Sequence, residues 1–244
     1  MIIDTHSHLN FKAYNTDRDE VIKRNQQEGL VCIDVGTDYN SSEKAVELAK
    51  NHENIYASVG MHPEVIDEGF DKEKYKELAK SKKVVAIGEI GLDYYQNPDK
   101  EKQKQVFIEQ LKLAEELNLP IIIHCRMAHA DVIEILTNQK VRGVIHCFTG
   151  NWDEAQKYLE LGFYLGINGI IFKLDINKTI EKCPLDKILV ETDCPYLTPP
   201  MADAERNEPI FVKHIIQKIT EIKEISFQEV ADATTQNAKK LFRI

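Results

Sequence analysis

The sequence predicts an α/β protein of the (β/α)8 barrel class. Apolar, strand-like runs alternate with charged segments of helical periodicity, and eight such units fit into the 244 residues of the chain, where a barrel of this class typically takes ~250 residues. No stretch rich in Pro, Gly or Ser interrupts the alternation, so we expect residues 1–244 to form a single domain. An open, doubly wound sheet is the alternative fold, but no Gly-rich phosphate loop follows the first strand.

The predicted strands are the apolar runs of the chain, and the predicted helices are the charged, periodic segments between them. The strands cover residues 2–4, 30–35, 54–59, 84–87, 120–124, 143–146, 163–167 and 187–191. The helices cover residues 17–28, 41–50, 71–80, 99–117, 128–137, 153–161, 174–183, 208–223 and 227–242. The clearest helix, 99–117, places Phe107, Leu111 and Ala114 on one apolar stripe. The last helix opens with Ser226 and Glu229 in capping-box spacing.

Composition and charge limit the classes of function. With 43% hydrophobic and 29% charged residues the chain has an ordinary globular composition, and no apolar run approaches the roughly 18 residues of a membrane helix. We therefore expect no membrane association, and nothing indicates an obligate protein partner. The N-terminus lacks the basic and long apolar regions of a signal peptide. Five cysteines without a C-x-x-C pair favour reduced thiols in a cytoplasmic protein.

The net charge weighs against a purely electrostatic contact with nucleic acid. A formal charge of −9 opposes the binding of a polyanion through the overall field of the protein. A nucleic-acid ligand would need a local cationic feature, such as bound metal with a few Lys or Arg side chains.

Glu89 is a carboxylate at the C-terminal end of a strand, residues 84–87, that is predicted to be buried on both faces. Gly88 before it would let a neighbouring segment approach the backbone closely. Burying a lone carboxylate is costly unless a cation or a donor meets it. Glu89 is therefore either a salt-bridged structural residue or a metal ligand.

Six further polar residues lie at the ends of the predicted strands, and in a barrel these ends form the face where active sites are built. His6 and His8 are two residues apart, which in an extended chain puts both imidazoles on the same face. The others are His62, His124, His146 and Asp193. A single histidine at a strand end is more often structural than a ligand. The convergence of seven such residues indicates a metal site.

The types of these residues narrow the choice of metal. Imidazole with carboxylate suits zinc, iron, nickel or manganese, whereas carboxylate-rich sites favour magnesium or manganese. Four histidines with two carboxylates are too many for one tetrahedral ion and fit two ions that share a bridging carboxylate. Cys125, Cys147 and Cys194 each follow a predicted ligand, and strand alternation would turn them away from it, although the argument is weaker for Cys194. We therefore expect packed thiols rather than a cysteine hydrolase.

Seven segments together resemble the TatD family of metal-dependent hydrolases. They are D-T-H-S-H at residues 4–8, G-M-H-P at 60–63, G-E-I-G-L-D-Y at 88–94, H-C-R at 124–126, H-C-F-T-G at 146–150, E-T-D-C-P-Y-L at 191–197 and R-N-E-P at 206–209. They occur in order over nearly the whole chain, and their combination is highly specific. The resemblance implies an amidohydrolase-like (β/α)8 barrel, two divalent metal ions and, as in several members, deoxyribonuclease activity.

The same resemblance implies roles for individual residues. One metal ion, Mg²⁺, Mn²⁺ or Zn²⁺, would take His6, His8, Glu89 and Asp193, and the other would take Glu89, His124 and His146. The residues implied around the substrate are His62, Arg126, His129, Lys173, Arg206 and Asn207. Two ions ~4 Å apart can clamp the attacking and leaving oxygens of a phosphodiester. Glu89 would hold that separation, and Asp193 would orient the attacking water or take its proton.

Several alternatives stay open. Many family members carry an Arg-Gly pair before R-N-E-P, where this chain reads P-M-A-D-A-E at residues 200–205, so a phosphate contact is less well supported than metal binding. A small-molecule amidohydrolase or phosphoesterase fits the acidic charge, although it lacks a Lys at the end of the fourth strand. A metal-binding scaffold without catalysis is disfavoured by the intact ligand set. Five aromatic residues either wall the pocket or stack on the bases of DNA single strands or ends, namely Tyr94, Tyr95, Phe148, Trp152 and Tyr196.

Overall fold

Eight parallel strands form one sheet that curls into a barrel, and their order around it follows the chain. In this computed structural model, which describes residues 1–95 and 99–244, the strands are β1 (Ile2–Ser7), β2 (Leu30–Val35), β3 (Ile55–Val59), β4 (Val84–Asp93), β5 (Ile121–Arg126), β6 (Gly143–Ile145), β7 (Tyr164–Ile167) and β8 (Ile188–Val190). Residues beyond β8 complete the closure onto β1, because Ser7 forms a parallel bridge with Cys194. The predicted (β/α)8 fold is confirmed.

Each α-helix in the described residues occupies a segment that was predicted to be helical. The helices are α1 (Arg18–Gln27), α2 (Tyr39–Asn51), α3 (Lys72–Leu78), α4 (Lys100–Leu117), α5 (His129–Thr137), α6 (Trp152–Glu160), α7 (Asn177–Lys182), α8 (Val212–Lys223) and α9 (Phe227–Phe242). The predicted start of α8 at residue 208 is wrong, because Pro209 opens a separate 3-10 turn, Pro209–Phe211. The capping box of Ser226 with Glu229 at the start of α9 is confirmed.

The two strands that carry His6 and Glu89 are longer than their apolar runs predict. β1 continues through His6, and β4 continues through Glu89 to Asp93 with all ten residues buried. The sequence prediction ended β1 at Asp4 and β4 at Ile87, before His6 and Glu89. The polar side chains beyond these ends meet one another inside the barrel mouth. Gly88 allows the close approach that was predicted, because a Cβ there would lie 2.6 Å from the Cβ of Ile122 on β5.

Two apolar layers support the barrel and leave one end of it for the site. The larger layer lies between the strands and the surrounding helices and includes Phe107 of α4 and Tyr158 of α6. The smaller layer joins inward residues such as Ile122 to Leu241 and Phe242 of α9. The helix α9 therefore covers the N-terminal end of the barrel, and the C-terminal end stays accessible. No helix in the described part of the chain has the length and apolar character needed to cross a bilayer.

Candidate metal centre

Glu89 is buried at the C-terminal end of the barrel, and its two carboxylate oxygens face different imidazoles. Oε2 lies 3.4 Å from His6 Nε2 and 3.9 Å from His8 Nε2. Oε1 lies 2.9 Å from His124 Nδ1 and 3.7 Å from His146 Nε2. Burial opposes the ionisation of Glu89, but the surrounding imidazoles hold its pKa well below the usual range. An ionised carboxylate with nitrogen donors on both sides is suited to bridging two cations.

Asp193 completes the first half of this cluster. Its Oδ1 lies 3.5 Å from His8 Nε2 and 3.8 Å from His6 Nε2, and the two Nε2 atoms are 3.1 Å apart. Two nitrogens bound to one zinc at ~2.0–2.1 Å would lie about 3.0–3.4 Å from each other. The donors therefore fit a divalent cation. All six residues implied as ligands lie in this cluster. The donor atoms that come within 4.8 Å of one another, however, group His146 with His6 and Glu89, and His124 with Glu89 and His62, rather than His124 with His146.

Acceptor groups stand behind three of the imidazoles. His8 Nδ1 lies 2.9 Å from the carbonyl oxygen of Val35. His124 Nε2 lies 2.9 Å from a carboxylate oxygen of Asp93, and His146 Nδ1 lies 2.8 Å from a carboxylate oxygen of Glu191. Acceptors in this position orient a histidine ligand and raise its basicity. Sequence reasoning did not assign roles to these two acids, although both lie in the motifs at residues 88–94 and 191–197.

The fold fixes both supporting carboxylates. Tyr95 N–H donates to Asp93 Oδ1 at 2.8 Å, and Gln103 of α4 bonds the backbone of Asp93. Cys147 N–H donates to Glu191 Oε1 at 2.7 Å. Glu191 also packs against Gly166, where a Cβ would lie 2.5 Å from Glu191 Oε2. Both acids are therefore held rigidly behind the ring that each one contacts.

The neighbouring carboxylates keep the imidazoles of His124 and His146 protonated in the metal-free protein. Burial favours the neutral ring, but Asp93 and Glu89 raise the pKa of His124 to about 9. Burial opposes the charged ring of His146 as well, and Glu191 with its acidic neighbours raises that pKa to about 10. The protein thus places positive charge at the positions that a cation would occupy.

The cluster forms the floor of a cavity of about 660 Å³. Its walls are largely apolar and include Phe11, Leu174 and Tyr196. Of the residues implied around the substrate, His62 and Arg126 line this cavity. The Arg126 guanidinium stacks over the ring of Tyr95 at 3.9 Å, on the exposed rim. Burial and the neighbouring His124 lower the pKa of His62 to about 3, so its ring is neutral at physiological pH.

Arg206 is engaged away from the cavity. Its guanidinium pairs with both carboxylate oxygens of Asp17, at 3.0 and 2.7 Å, and with Glu208 at 3.1 Å, and it stacks on Tyr14. Bidentate pairing of this kind ties the loop after β8 to the start of α1. The arrangement disfavours the implied contact between Arg206 and substrate.

Of the remaining residues implied around the substrate, His129 and Asn207 are held elsewhere by hydrogen bonds, and Lys173 is exposed. His129 Nδ1 lies 3.0 Å from Tyr158 OH and 3.2 Å from Cys125 Sγ, behind β5. Asn207 Nδ2 donates to the backbone carbonyls of Thr192 and Tyr196, on either side of Asp193 in the chain, and Asn207 is not among the residues that line the cavity. Lys173 is exposed beside the cavity wall.

The aromatic residues differ in their burial, and one cysteine does not have its expected orientation. Phe148 is fully buried in the barrel–helix layer and Trp152 packs against it, so of the five aromatics only Tyr95 and Tyr196 are strongly exposed. The expectation that Cys147 turns away from the site is wrong, because it follows the end of β6 with φ of 45° and lines the cavity. Strand alternation applies only within a strand. Cys194 is fully buried, as expected.

An eight-stranded parallel barrel with imidazoles and carboxylates gathered at its C-terminal mouth defines a metal-dependent hydrolase of the TIM-barrel type. A dihydroorotase crystal structure shares the fold, with a TM-score of 0.63 at 15% identity over 99% of this chain and 70% of that one. The model of the family described as TatD related DNase matches residues 3–243. The chain belongs to this family, which confirms the resemblance seen in the sequence.

Relatives within the family are similar over their whole length. The chain is 44% identical over 254 aligned positions to the "Uncharacterized metal-dependent hydrolase YabD" of Bacillus subtilis, covering 100% of both. It is 34% identical to the "3'-5' ssDNA/RNA exonuclease TatD" of Escherichia fergusonii, covering 100% of this chain and 99% of that protein. The crystal structure of YJJV, a TatD homolog from Escherichia coli K12, superimposes with a TM-score of 0.93 at 30% identity, covering 100% of this chain and 98% of that one.

Proposed function

We propose that this protein is a nuclease that hydrolyses phosphodiester bonds at the ends of single-stranded DNA or RNA with the help of two divalent cations. The observation that carries the proposal is the position of Glu89, whose two oxygens face separate groups of imidazoles. The name of the Escherichia fergusonii relative, an ssDNA/RNA exonuclease, supports the choice of substrate.

Charge supports two ions rather than one. Four carboxylates surround the cluster, Glu89, Asp93, Glu191 and Asp193. When ionised they carry four negative charges, which two divalent cations would neutralise. His6, His8, Asp193 and Glu89 would hold one ion, and Glu89, His124 and His146 would hold the other. Mg²⁺, Mn²⁺ and Zn²⁺ are the candidates for this donor set.

The protein residues would divide the work of hydrolysis. The bound cations would supply Lewis acidity to the scissile phosphate and its nucleophile. Asp193, at the cavity floor with its side chain 15% exposed, is placed to orient the attacking water and accept its proton. Glu89 would fix the separation of the two ions. Arg126 would meet a non-bridging phosphate oxygen from the cavity wall.

The rim supports a single-stranded end as substrate. Tyr95 and Tyr196 are 61% and 55% exposed beside the cavity, and an exposed ring can stack on an unpaired base. The walled cavity admits a chain end more readily than an intact duplex. The five unpaired cysteines support a reducing compartment, and we place the protein in the cytoplasm on that ground.

The test is a turnover assay on end-labelled single- and double-stranded DNA and on RNA, with Mg²⁺, Mn²⁺ and Zn²⁺ compared. We expect cleavage of single strands from an end, seen as stepwise shortening of the labelled product. Glu89→Ala should lose both bound metal and activity while keeping its circular dichroism spectrum. A folded Glu89→Ala variant with full metal content and full activity would refute the assignment.

A small-molecule phosphoesterase or amidohydrolase is the second candidate, and one observation favours it. Arg206 is occupied by Asp17 and Glu208, which leaves Arg126 as the permanent cation among the cavity-lining residues of the described chain. A panel of phosphate monoesters, diesters, amides and lactones assayed with saturating metal distinguishes the two. Turnover of a small ester at a rate far above that of any oligonucleotide would decide for this candidate.

A further inference from the structure

The cavity has an apolar side and a polar side. The apolar side is built by the loops after β7 and β8 and by the segment after β1. We call its side chains the apolar sector, and they are Phe11, Ile170, Leu174, Tyr196 and Leu197. These three segments are neighbours, because the strand order follows the chain and Ser7 bridges to Cys194. Asp93 and Arg126 line the cavity from the ends of β4 and β5, on the opposite side of the barrel.

The apolar sector is open to solvent. Leu174 and Tyr196 are 45% and 55% exposed, and the other three side chains are partly exposed. Single exposed apolar side chains are common, but a contiguous group of them beside a polar cavity marks a binding surface. Within the apolar sector only the hydroxyl of Tyr196 is a polar side-chain group. The sector therefore suits a flat, apolar part of a ligand and has no cation for a phosphate.

Two aromatic rings form the corner of the sector next to the metal ligands. The Phe11 ring stacks on the His8 ring with the centroids 4.3 Å apart and 13° between the planes. The Tyr196 ring meets Phe11 edge-on at 6.5 Å and 76°, which is within the range of paired aromatic rings. A base held in this corner would lie beside His8, and the phosphate of the same nucleotide would extend toward the metal ligands.

The backbone holds the apolar sector in place without a ligand. Arg18 Nη2 donates to the carbonyl oxygen of Phe11 at 3.0 Å. The loop after β7 packs closely against the loop after β8 at Gly169, where a Cβ would lie 2.0 Å from the carbonyl oxygen of Leu197. A preformed surface loses little conformational entropy when a ligand binds. This rigidity supports a binding site at the sector.

The exposed aromatic ring on the opposite side of the cavity is already engaged. The guanidinium of Arg126 covers one face of Tyr95, 3.9 Å from the ring centroid. That side carries a permanent positive charge, which suits a phosphate. The apolar sector carries ring and aliphatic surface, which suits a base. The two sides of the cavity therefore match the two alternating parts of a nucleotide chain.

We propose that the apolar sector is a nucleobase subsite, which holds the base of the nucleotide whose phosphate lies at the metal centre. The inference rests on the proposed nuclease function for the identity of the ligand. Stacking and apolar contact use the face of a base, which every base has, and the sector adds one hydroxyl. The subsite therefore requires a base but does not read which base it is.

The first test measures binding without turnover. Isothermal titration of the Mn²⁺-loaded protein compares dAMP and dTMP with the abasic sugar phosphate that carries hydrogen in place of the base. We expect both nucleotides to bind about 10-fold or more tightly than the abasic compound, and to differ much less from each other. Equal affinity for all three compounds would overturn the proposal. A difference between dAMP and dTMP as large as the gain over the abasic compound would also overturn it.

The second test uses variants to locate the base. Leu174→Ser and Phe11→Ala each remove apolar surface from the sector, so each should weaken dAMP binding by about 5-fold or more and leave binding of the abasic compound unchanged. The abasic compound also reports any change at the metal centre beside Phe11. Met201→Ser is the matched control, because Met201 is 52% exposed in the loop after β8 but does not line the cavity. An equal loss for dAMP and the abasic compound, or an equal loss in Met201→Ser, would contradict a base subsite.

A cleavage assay distinguishes this inference from the proposed function. An end-labelled single strand with an abasic terminal nucleotide should be cleaved about 10-fold or more slowly than the intact strand, and Leu174→Ser should reduce that difference. If the parent protein cleaves no DNA or RNA, the proposed function fails, while the titrations still decide whether the sector binds a base. If it cleaves intact and abasic ends equally fast, the nuclease function stands and the subsite fails.

Discussion

Binding of a cation at His124 and His146 should release protons, and the number released can be worked out from the structure. Both imidazoles are held protonated at neutral pH, with pKa values of about 9 and about 10. Only the neutral ring binds a metal. Removing the two protons at pH 7 costs about 2.7 and about 4 kcal/mol. We therefore expect about two protons to leave when the ion that takes both residues binds at pH 7.

The direction of the pH dependence follows from these raised pKa values. The competing protons become easier to displace as the pH rises, so metal affinity increases with pH. With two protons displaced, the association constant should rise about 100-fold per pH unit between pH 6 and 8. Calorimetric titration with Mn²⁺ in buffers of different ionisation enthalpy measures both quantities. An affinity that is flat over this range, or a proton count near zero, would refute the reasoning.

A variant of Asp93 tests the cause of the effect. Asp93→Asn removes a carboxylate that holds the proton on His124, so the proton count at pH 8 should fall toward one. The affinity at high pH should fall by about 10–100-fold, because the ring loses its supporting acid. Asp131→Asn is the matched control, since Asp131 bonds Tyr94 and Lys104 rather than an imidazole. A similar change in both variants would contradict the specific role of Asp93.

Three further predictions follow from single contacts. Arg206→Gln breaks two ion pairs, so the free energy of unfolding in urea titrations should fall by about 1–2 kcal/mol. The KM for oligonucleotide should stay nearly unchanged. A large rise in KM at unchanged stability would argue against this. Gly166→Ala puts a Cβ 2.5 Å from Glu191 Oε2, so metal affinity measured by equilibrium dialysis should drop by about tenfold or more. Metal affinity equal to that of the parent protein would contradict this. Burial raises the pKa of Asp34 to about 7. The folded state therefore binds this proton more tightly than the unfolded state, so the free energy of unfolding falls by up to ~4 kcal/mol as the pH rises from about 4 to 7. Asp34→Asn should make the unfolding temperature depend less on pH. The same dependence on pH in the variant and the parent protein would contradict this.

The sequence predicted the fold well because the barrel depends on apolar runs. Each predicted strand and helix has its counterpart in the described residues. The errors that bear on the site lie at the C-terminal ends of β1 and β4, where the strands continue through His6 and Glu89. Polarity normally ends a strand at the surface. Here the polar residues face one another across the barrel, and periodicity in one segment cannot show that.

The site was predictable as a convergence of ligands but not in its supporting contacts. The carboxylates of Glu191 and Asp193 are two residues apart, and only the fold shows that the first supports His146 and the second lines the cavity. The partner of Arg206 is Asp17, 189 residues away in the chain. No local pattern could indicate that this guanidinium is already paired.

The charge of the chain and the charge of the cavity together constrain how a nucleic acid would bind. The net charge is −9, and among the lining residues of the described chain Arg126 alone carries a permanent positive charge against Glu64, Glu89, Asp93 and Asp193. The protonated rings of His124 and His146 offset part of this negative charge in the metal-free protein. Bound cations would displace those protons and supply a larger positive charge, so affinity for substrate would depend on the metal. A protein that follows a long backbone needs a row of basic residues. A metal-centred cavity with one arginine fits recognition of a single terminal phosphodiester.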